Sequence, residues 1–315
     1  MHDGYPLLSG IYDEYVCAEG VLAIHCSMTR YLTQQQVDHF WEQGYLFLEK
    51  ILPDDIITKL ASEFETWKEE SREHTEAYGR TYDNRPRFDV EPGHSPEKPA
   101  LRRIASPIEL SATYLHAMRD NLALEAVTDL LGPNLRFNNS KINSKQPGSA
   151  TQVKFHQDFL FEPRTNDDMV AVLMFIDEVT QDNGPLQVVP GTHKGQMYEH
   201  WHDGVFTGVV DEKVIAEMSP KAISCYGPAG SACLMHTRLL HGSDPNHSDK
   251  PRTLYICEYC AEDSYPLQAN SIPSIYMEEV VRGASTGQVR STAYEMALPE
   301  IPEGASFFEQ QVNAA

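Results

Sequence analysis

The stretch from residue 135 to residue 261 alternates between short segments with strand character and turns rich in glycine and proline. Segments of this length with tight turns between them predict β-strands rather than helices. The predicted strands are residues 135–145, 152–161, 169–179, 186–189, 222–226, 231–236 and 252–261. Many short strands joined in this way are typical of a sandwich or jelly roll. We therefore expect a mainly β fold with flanking helices.

Helices are predicted before this region. Thr33 begins a capping box, and Gly44 ends the apolar helical stripe that follows it. A second helix is predicted to begin after Pro53, and a third helical region covers residues 107–131. Residues 77–99 are polar and rich in proline and arginine, which is typical of a long loop that covers a site or lacks order.

The chain of 315 residues shows no internal repeat and no clear linker. We therefore expect a single domain over residues 32–315, with its jelly-roll core at about 135–261. Residues 1–31 have no clear period and are predicted to form an N-terminal extension. Residues 262–315 are punctuated by proline and are expected to form a tail that packs over the barrel or its mouth.

The balance of 25 basic against 46 acidic residues gives a net charge of −21. Nucleic acid and anionic membranes are bound through basic patches, so neither is expected as a partner. The acidity could attract cationic substrates, or it could only keep the surface well solvated. The six cysteines make no disulfide framework in so long a chain. With no positive leader and no membrane-length apolar run, we expect a cytoplasmic protein with free thiols.

Two chemically active side chains lie two residues apart in the predicted strand 152–161. Successive side chains of a strand alternate between faces, so His156 and Asp158 are expected to point the same way. A distant histidine such as His241 would complete a set of two histidines and one carboxylate. This ligand set suits Fe(II) in oxygenases, because it leaves adjacent coordination positions open.

A turn rich in glycine, aspartate, proline and asparagine joins His241 to Arg252, which begins the next predicted strand. Such a hairpin could place the guanidinium beside the metal. There its planar fork could bind a carboxylate at two points. An iron site with a carboxylate-binding arginine is what a 2-oxoglutarate-dependent oxygenase requires.

On these residues the sequence resembles the phytanoyl-CoA dioxygenase superfamily of Fe(II)/2-oxoglutarate oxygenases, which includes ectoine hydroxylase. The resemblance covers residues 32–261 and also takes in Leu32-Thr-Gln-Gln-Gln-Val-Asp-His-Phe and Asp182-Asn-Gly-Pro-Leu-Gln-Val-Val-Pro-Gly-Thr-His. It implies a double-stranded β-helix, a cupin-like jelly roll. It also implies that His156, Asp158 and His241 bind iron and that Arg252 pairs with the distal carboxylate of 2-oxoglutarate.

The same resemblance points to further cofactor residues. Ser140-Lys141-Ile142-Asn143 is similar to the strand before the iron ligands of ectoine hydroxylase, where the corresponding asparagine contacts 2-oxoglutarate. Asn143 is therefore a candidate contact, and Lys141 shares its strand face. Ser243 is a further candidate for the co-substrate, and Arg102-Arg103 lies where some relatives have a basic cofactor contact.

A small-molecule substrate and O2 are the expected partners, and whether the protein forms a homodimer is left open. Strand faces and probable covering loops select candidate substrate residues, which are Asn139, Gln152, Phe161, Arg164, Trp201 and Phe206. The resemblance implies hydroxylation or a related oxidation of a metabolite, with release of succinate and CO2. The alternative is a non-catalytic jelly-roll protein that keeps a metal for binding or sensing.

Overall fold

The computed structural model describes residues 30–312. Its helices are α1 (Gln34–Gln43), α2 (Asp54–Glu70), α3 (Ala112–Arg119), α4 (Leu122–Leu131), α5 (Glu212–Met218) and α6 (Phe308–Val312). Its strands are β1 (Tyr45–Leu48), β2 (Phe88–Val90), β3 (Leu101–Ala105), β4 (Leu135–Lys145), β5 (Val153–His156), β6 (Met169–Phe175), β7 (Leu186–Val188), β8 (Trp201–His202), β9 (Val205–Phe206), β10 (Ile223–Cys225), β11 (Ala232–His236), β12 (His241–Ser243), β13 (Arg252–Ala261) and β14 (Val280–Arg282).

Within residues 30–312 these strands form a large and a small antiparallel sheet and one short hairpin. The large sheet has the order β1-β11-β6-β13-β4-β3-β2, with β14 paired to β4. The small sheet has the order β10-β7-β12-β5, and β8 pairs with β9. Several neighbouring strands are distant in sequence, such as β6 between β11 and β13, as the crossing connections of a jelly roll require. The predicted double-stranded β-helix with flanking helices is confirmed.

The large sheet is buried on both faces, and each face has its own packing partner. Side chains of β6 alternate between the faces, and all seven of its residues are buried. Val172 and Met174 pack towards the helices in one apolar cluster, whereas Leu173 and Phe175 pack towards the small sheet in another. The helical layer is also held by hydrogen bonds, since the Tyr255 hydroxyl donates to the Tyr114 carbonyl oxygen at 2.9 Å.

The helix predictions before the barrel are confirmed with one change. The Thr33–Gln36 capping box is present, and Gly44 ends α1 in a left-handed conformation. The helical region predicted over residues 107–131 forms a short 3-10 turn followed by two helices. Asn121 separates them, because its side chain accepts from the Leu124 N–H and so begins α4.

The predicted strand 152–161 is shorter than expected. It ends at His156, and Asp158 begins a short 3-10 turn that runs to Leu160. The prediction that both side chains lie on one strand face was therefore wrong. The turn nevertheless keeps the Asp158 carboxylate beside the His156 imidazole.

Some expectations concern residues outside the described range. Most of the predicted extension 1–31 lies there, so the division of the chain at residue 32 stays a prediction. The homodimer and the cytoplasmic location also stay predictions. In the described part of the chain, every helix is too short or too polar to span a membrane. The two cysteines that are three apart in β13, Cys257 and Cys260, are buried free thiols.

Gly44 offers a direct test of this packing. It has a φ of +85°, and an added Cβ would lie 2.4 Å from His193 Nδ1. Gly93 has a similar φ of +88° but has no neighbouring atom within 4 Å. The Gly93→Ala variant should lose only the roughly 1–2 kcal/mol that left-handed backbone costs an L-residue. Gly44→Ala should lose about 1–3 kcal/mol more, because of the clash.

The measurement is the urea dependence of unfolding for both variants and the wild type. Equal losses of unfolding free energy in the two variants would contradict the close contact between α1 and His193.

Candidate metal centre

Strand pairing in the small sheet brings two histidines together. His156 ends β5 and His241 begins β12, and the two residues are direct partners in the antiparallel register. Side chains of paired residues point to the same face, so the two imidazole centres lie 4.2 Å apart. Asp158 approaches both rings, with carboxylate oxygens 3.2 Å from His156 Nε2 and 3.7 Å from His241 Nε2. One ligand atom from each of the three residues lies within 4.8 Å of the others.

The backbone orients both imidazoles. His156 Nδ1 lies 2.8 Å from the Lys154 carbonyl oxygen, and His241 Nδ1 lies 2.9 Å from the Leu239 carbonyl oxygen. A carbonyl oxygen only accepts, so each Nδ1 carries the proton and donates it. Each Nε2 then presents a lone pair to the space beside Asp158. This is the tautomer that a metal-binding histidine needs.

Charge in the cluster also favours metal binding. Burial and the neighbouring imidazole of His156 together lower the pKa of His241 to about 4, so His241 is neutral at pH 7. Burial would raise the pKa of Asp158, but interaction with the neighbouring His241 and Lys141 side chains outweighs it and holds that pKa below its usual value. A neutral imidazole and an ionised carboxylate are the states in which these residues bind a metal. The donor set therefore fits Fe(II).

Two cavities meet at this cluster, and we name them by their distinguishing arginines. The Arg252 cavity lies between the sheets and is also lined by His241 and Asn143. The Arg103 cavity lies on the other side and is also lined by Phe161 and Glu162. Four residues are shared by the linings of both cavities: Lys141, His156, Asp158 and Phe307.

The Arg252 cavity combines a cationic end with apolar walls. Arg252 is 2% exposed, and its Nε donates to the Gly184 carbonyl oxygen at 2.9 Å. Burial lowers the pKa of this guanidinium to about 10, so it stays charged at neutral pH. Leu173 and Leu254 are among the apolar wall residues. A cavity of this kind fits a short dicarboxylate that reaches from the arginine to the metal cluster.

Other predicted cofactor residues line the same cavity. Ser243 accepts a hydrogen bond at 2.7 Å from Lys145, whose side chain is also buried there. Asn143 keeps a buried side-chain oxygen without a partner among the described residues. An unpaired buried polar atom is uncommon, and a bound ligand or water is its usual explanation. Lys141 pairs with Glu258 at 3.1 Å where the two cavities meet.

Five of the six candidate substrate residues lie away from the lining of these two cavities. Asn139 is buried and donates to Glu258. Gln152 lies in a separate groove, which Gln311 also lines. Arg164 is fully buried, and Trp201 packs against Phe206.

A substrate contact by any of these five residues stays a prediction. Arg164 is held by Glu278, with two nitrogen–oxygen distances of 2.9 Å, so it holds the fold together. Of the aromatic candidates, Phe161 lines the Arg103 cavity, and Phe206 packs behind it. The strand face was predicted correctly for Lys141 and Asn143, which line the cavities.

Sequence reasoning missed the contribution of the C-terminal segment to the site. Phe307 lines both cavities, and its ring centre lies 5.6 Å from that of His156. The prediction of a tail over the barrel mouth agrees with this position, but no local pattern singles out Phe307. Glu162 and Glu258 were also missed, although Glu258 belongs to a predicted strand whose alternation places it on the inner face.

Comparison with known proteins identifies the class. Residues 40–254 match the family model of phytanoyl-CoA dioxygenase. A probable alpha-ketoglutarate-dependent hypophosphite dioxygenase of Stutzerimonas stutzeri is 30% identical over 84% of this chain and 91% of its own length. Human peroxisomal phytanoyl-CoA dioxygenase is 24% identical over 80% of this chain and 75% of its own.

Solved structures show the same fold. EctD from S. alaskensis, solved with bound Fe, superposes with a TM-score of 0.62 at 20% identity, covering 87% of this chain and 93% of that one. The carbocyclase SnoK from nogalamycin biosynthesis gives a TM-score of 0.57 at 18% identity, covering 74% and 86%.

The fold, the metal cluster and the matches define a 2-oxoglutarate-dependent dioxygenase with Fe(II) and 2-oxoglutarate as its cofactors. The chain belongs to the phytanoyl-CoA dioxygenase family. The sequence left open an enzyme or a non-catalytic jelly-roll protein, and the enzyme is therefore the correct interpretation.

Metal binding can be tested without turnover. Mn(II), a redox-inert substitute for Fe(II), should raise the thermal midpoint of unfolding by several degrees, because a ligand at about 100 times its Kd adds about 2.7 kcal/mol. The shift should vanish in the Asp158→Ala and His241→Ala variants.

His236 supplies the matched control. It is buried like His241 but packs against His193 and Trp41, away from the metal cluster. The His236→Ala variant should keep the Mn(II)-induced shift, whatever its own midpoint. A full shift in Asp158→Ala, measured by differential scanning fluorimetry, would rule out the assigned cluster.

Proposed function

We propose that the protein hydroxylates a small-molecule substrate in the Arg103 cavity, using iron held by His156 Nε2, His241 Nε2 and the Asp158 carboxylate. The observation that carries this proposal is the convergence of the three donors at the point where two cavities meet. Three protein ligands leave positions for a chelating co-substrate and for O2. Two cavities provide separate places for co-substrate and substrate.

In this proposal the Arg252 cavity binds 2-oxoglutarate. Arg252 holds the distal carboxylate through its guanidinium, and Leu173 and Leu254 contact the methylene groups. The side-chain N–H groups of Asn143 and the Ser243 hydroxyl line the same cavity and can donate to the remaining oxygens of 2-oxoglutarate. When bound together, the iron and 2-oxoglutarate supply the oxidising chemistry that consumes O2, releases succinate and CO2, and transfers one oxygen atom to the substrate.

The protein's remaining contribution is to orient the substrate and exclude water. The ring of Phe161 lies edge-on to His156 with 5.5 Å between centres, and Phe307 lies 5.6 Å from the same imidazole. These rings cover the metal cluster on the side of the Arg103 cavity. A covered site protects a reactive oxidant from solvent and from side reactions.

The substrate that this geometry favours is small. Hypophosphite, the substrate named for the Stutzerimonas stutzeri relative, is one candidate of that size. The test is a succinate-release assay with Fe(II), 2-oxoglutarate and a panel of metabolites that includes hypophosphite. We expect one of these compounds to raise the rate of succinate release above the slow rate seen without substrate. Mass spectrometry should then detect an oxygenated product. Desaturation would appear as a product lighter by two hydrogens.

Substitution of Arg252 tests the co-substrate assignment. Loss of a buried charge pair costs about 2–5 kcal/mol, so Arg252→Ala should weaken 2-oxoglutarate binding roughly 30-fold to 1,000-fold or more. The measurement is anaerobic isothermal titration of the Mn(II)-loaded protein with 2-oxoglutarate.

Arg290 is a control on the surface, where it is 45% exposed and pairs with Asp263 and Asp168. The Arg290→Ala variant should bind 2-oxoglutarate like the wild type. Equal affinity in Arg252→Ala and the wild type would refute the role of Arg252.

A further inference from the structure

One guanidinium beside the metal cluster lacks the partners that a buried charge needs. Arg103 lies in the middle of β3 and is 5% exposed. Its Nε and Nη1 atoms are buried and have no hydrogen-bond partner among the described residues. The guanidinium lies over the ring of Phe307, 5.2 Å from its centre, and lines the cavity that also reaches His156 and Asp158.

Arg87 and Arg85, by contrast, have partners for their guanidinium groups. Arg87, at 6% exposure, donates to the carbonyl oxygens of Arg80 and Ala105 and pairs with Glu109. Arg85, which lines the same cavity as Arg103, is bonded to Asp83 and to two carbonyl oxygens. Arg164 leaves only its Nε without a partner, so Arg103 is the buried arginine within residues 30–312 whose guanidinium makes no hydrogen bond.

The acidic side chains near Arg103 are already held by other groups. Asp89, its partner in the β2–β3 register, forms a bidentate pair with Arg102 and accepts from Ser306. Glu162 accepts from the side chains of Asn138, Asn139 and Ser271. Glu258 pairs with Lys141. The described residues thus leave the positive charge of Arg103 without an anionic hydrogen-bond partner.

We propose that Arg103 is the specificity-determining residue for the substrate, which it binds as a small anion through a carboxylate or phosphorus oxyanion group. This inference rests on the proposed function, because it places the anion in the substrate cavity. A planar guanidinium with free N–H groups is suited to two-point binding of such an oxyanion. Until the anion binds, the desolvated Nε and Nη1 groups have no hydrogen-bond partner among the described residues.

The position of Arg103 suits a substrate of a few non-hydrogen atoms. The Phe307 ring contacts both the guanidinium and the His156 imidazole, with distances of 5.2 Å and 5.6 Å from the ring centre. A small molecule can therefore place its anionic group on Arg103 and its reacting bond beside the metal cluster. Arg252 is left for the co-substrate, since it lines only the other of these two cavities.

The test measures binding without turnover. Protein saturated with Mn(II) and 2-oxoglutarate is titrated by calorimetry with acetate and propionate, with phosphite and methylphosphonate, and with acetamide and methylammonium. At least one anion should bind, and the neutral and cationic compounds should not. The carboxylate and phosphorus arms identify which oxyanion the site prefers. Failure of all four anions to bind, or equal binding of acetamide, would overturn the proposal.

Two variants decide whether Arg103 is responsible. Arg103→Met keeps similar volume without charge and should weaken anion binding roughly 30-fold or more, as expected for a lost buried charge pair. Its thermal midpoint should equal or exceed that of the wild type without anion, because an uncompensated buried charge is removed. Arg87→Gln, the matched control, should lower the midpoint and leave anion binding unchanged.

The outcomes separate this inference from the proposed function. Unchanged anion binding in Arg103→Met would overturn the assignment, and a large fall in its midpoint would indicate a structural role instead. Weakened 2-oxoglutarate binding in that variant would make Arg103 a cofactor contact, which also overturns the proposal. Failure of the wild type to bind 2-oxoglutarate would contradict the proposed function itself.

Discussion

The candidate site depends on the antiparallel pairing of β5 with β12. This pairing sets His156 opposite His241 and fixes both rings on the face that looks into the barrel. Carbonyl oxygens of Lys154 and Leu239 then select the tautomer that exposes each Nε2. A shift of the register by one residue would turn one imidazole to the opposite face and separate the donors. The metal chemistry is therefore a consequence of strand register.

The large sheet builds the co-substrate end of the site in the same way. In the register of β13 with β4, Arg252 is paired with Lys145 and Leu254 with Asn143. Two cationic side chains therefore lie at one end of this inner face, and an apolar and a polar side chain follow them. The buried guanidinium of Arg252 is stabilised by a hydrogen bond from its Nε to the Gly184 carbonyl oxygen. This arrangement matches a ligand with a carboxylate at one end and methylene groups in the middle.

The sequence predicted those parts of the molecule that follow a local period. Alternation gave the strand faces of Lys141 and Asn143, and helical spacing with its caps gave α1. The break of the strand after His156 was not predictable, because the 3-10 turn is stabilised by contacts with distant segments, such as the Phe159 N–H donating to the Thr237 carbonyl oxygen. Phe307 follows His156 by 151 residues and His241 by 66, so no spacing rule identifies it. Likewise, the net charge of −21 did not predict the unpaired guanidinium of Arg103 beside the metal cluster.

The central claim is that His156, Asp158 and His241 hold iron at the end of a 2-oxoglutarate cavity. The most direct measurement is the visible absorption spectrum of the anaerobic protein after addition of Fe(II) and then 2-oxoglutarate. Chelation of the metal by the keto acid should produce a weak metal-to-ligand band that requires both additions and has one-to-one stoichiometry. A spectrum without this band, at concentrations where Fe(II) is bound, would contradict the account.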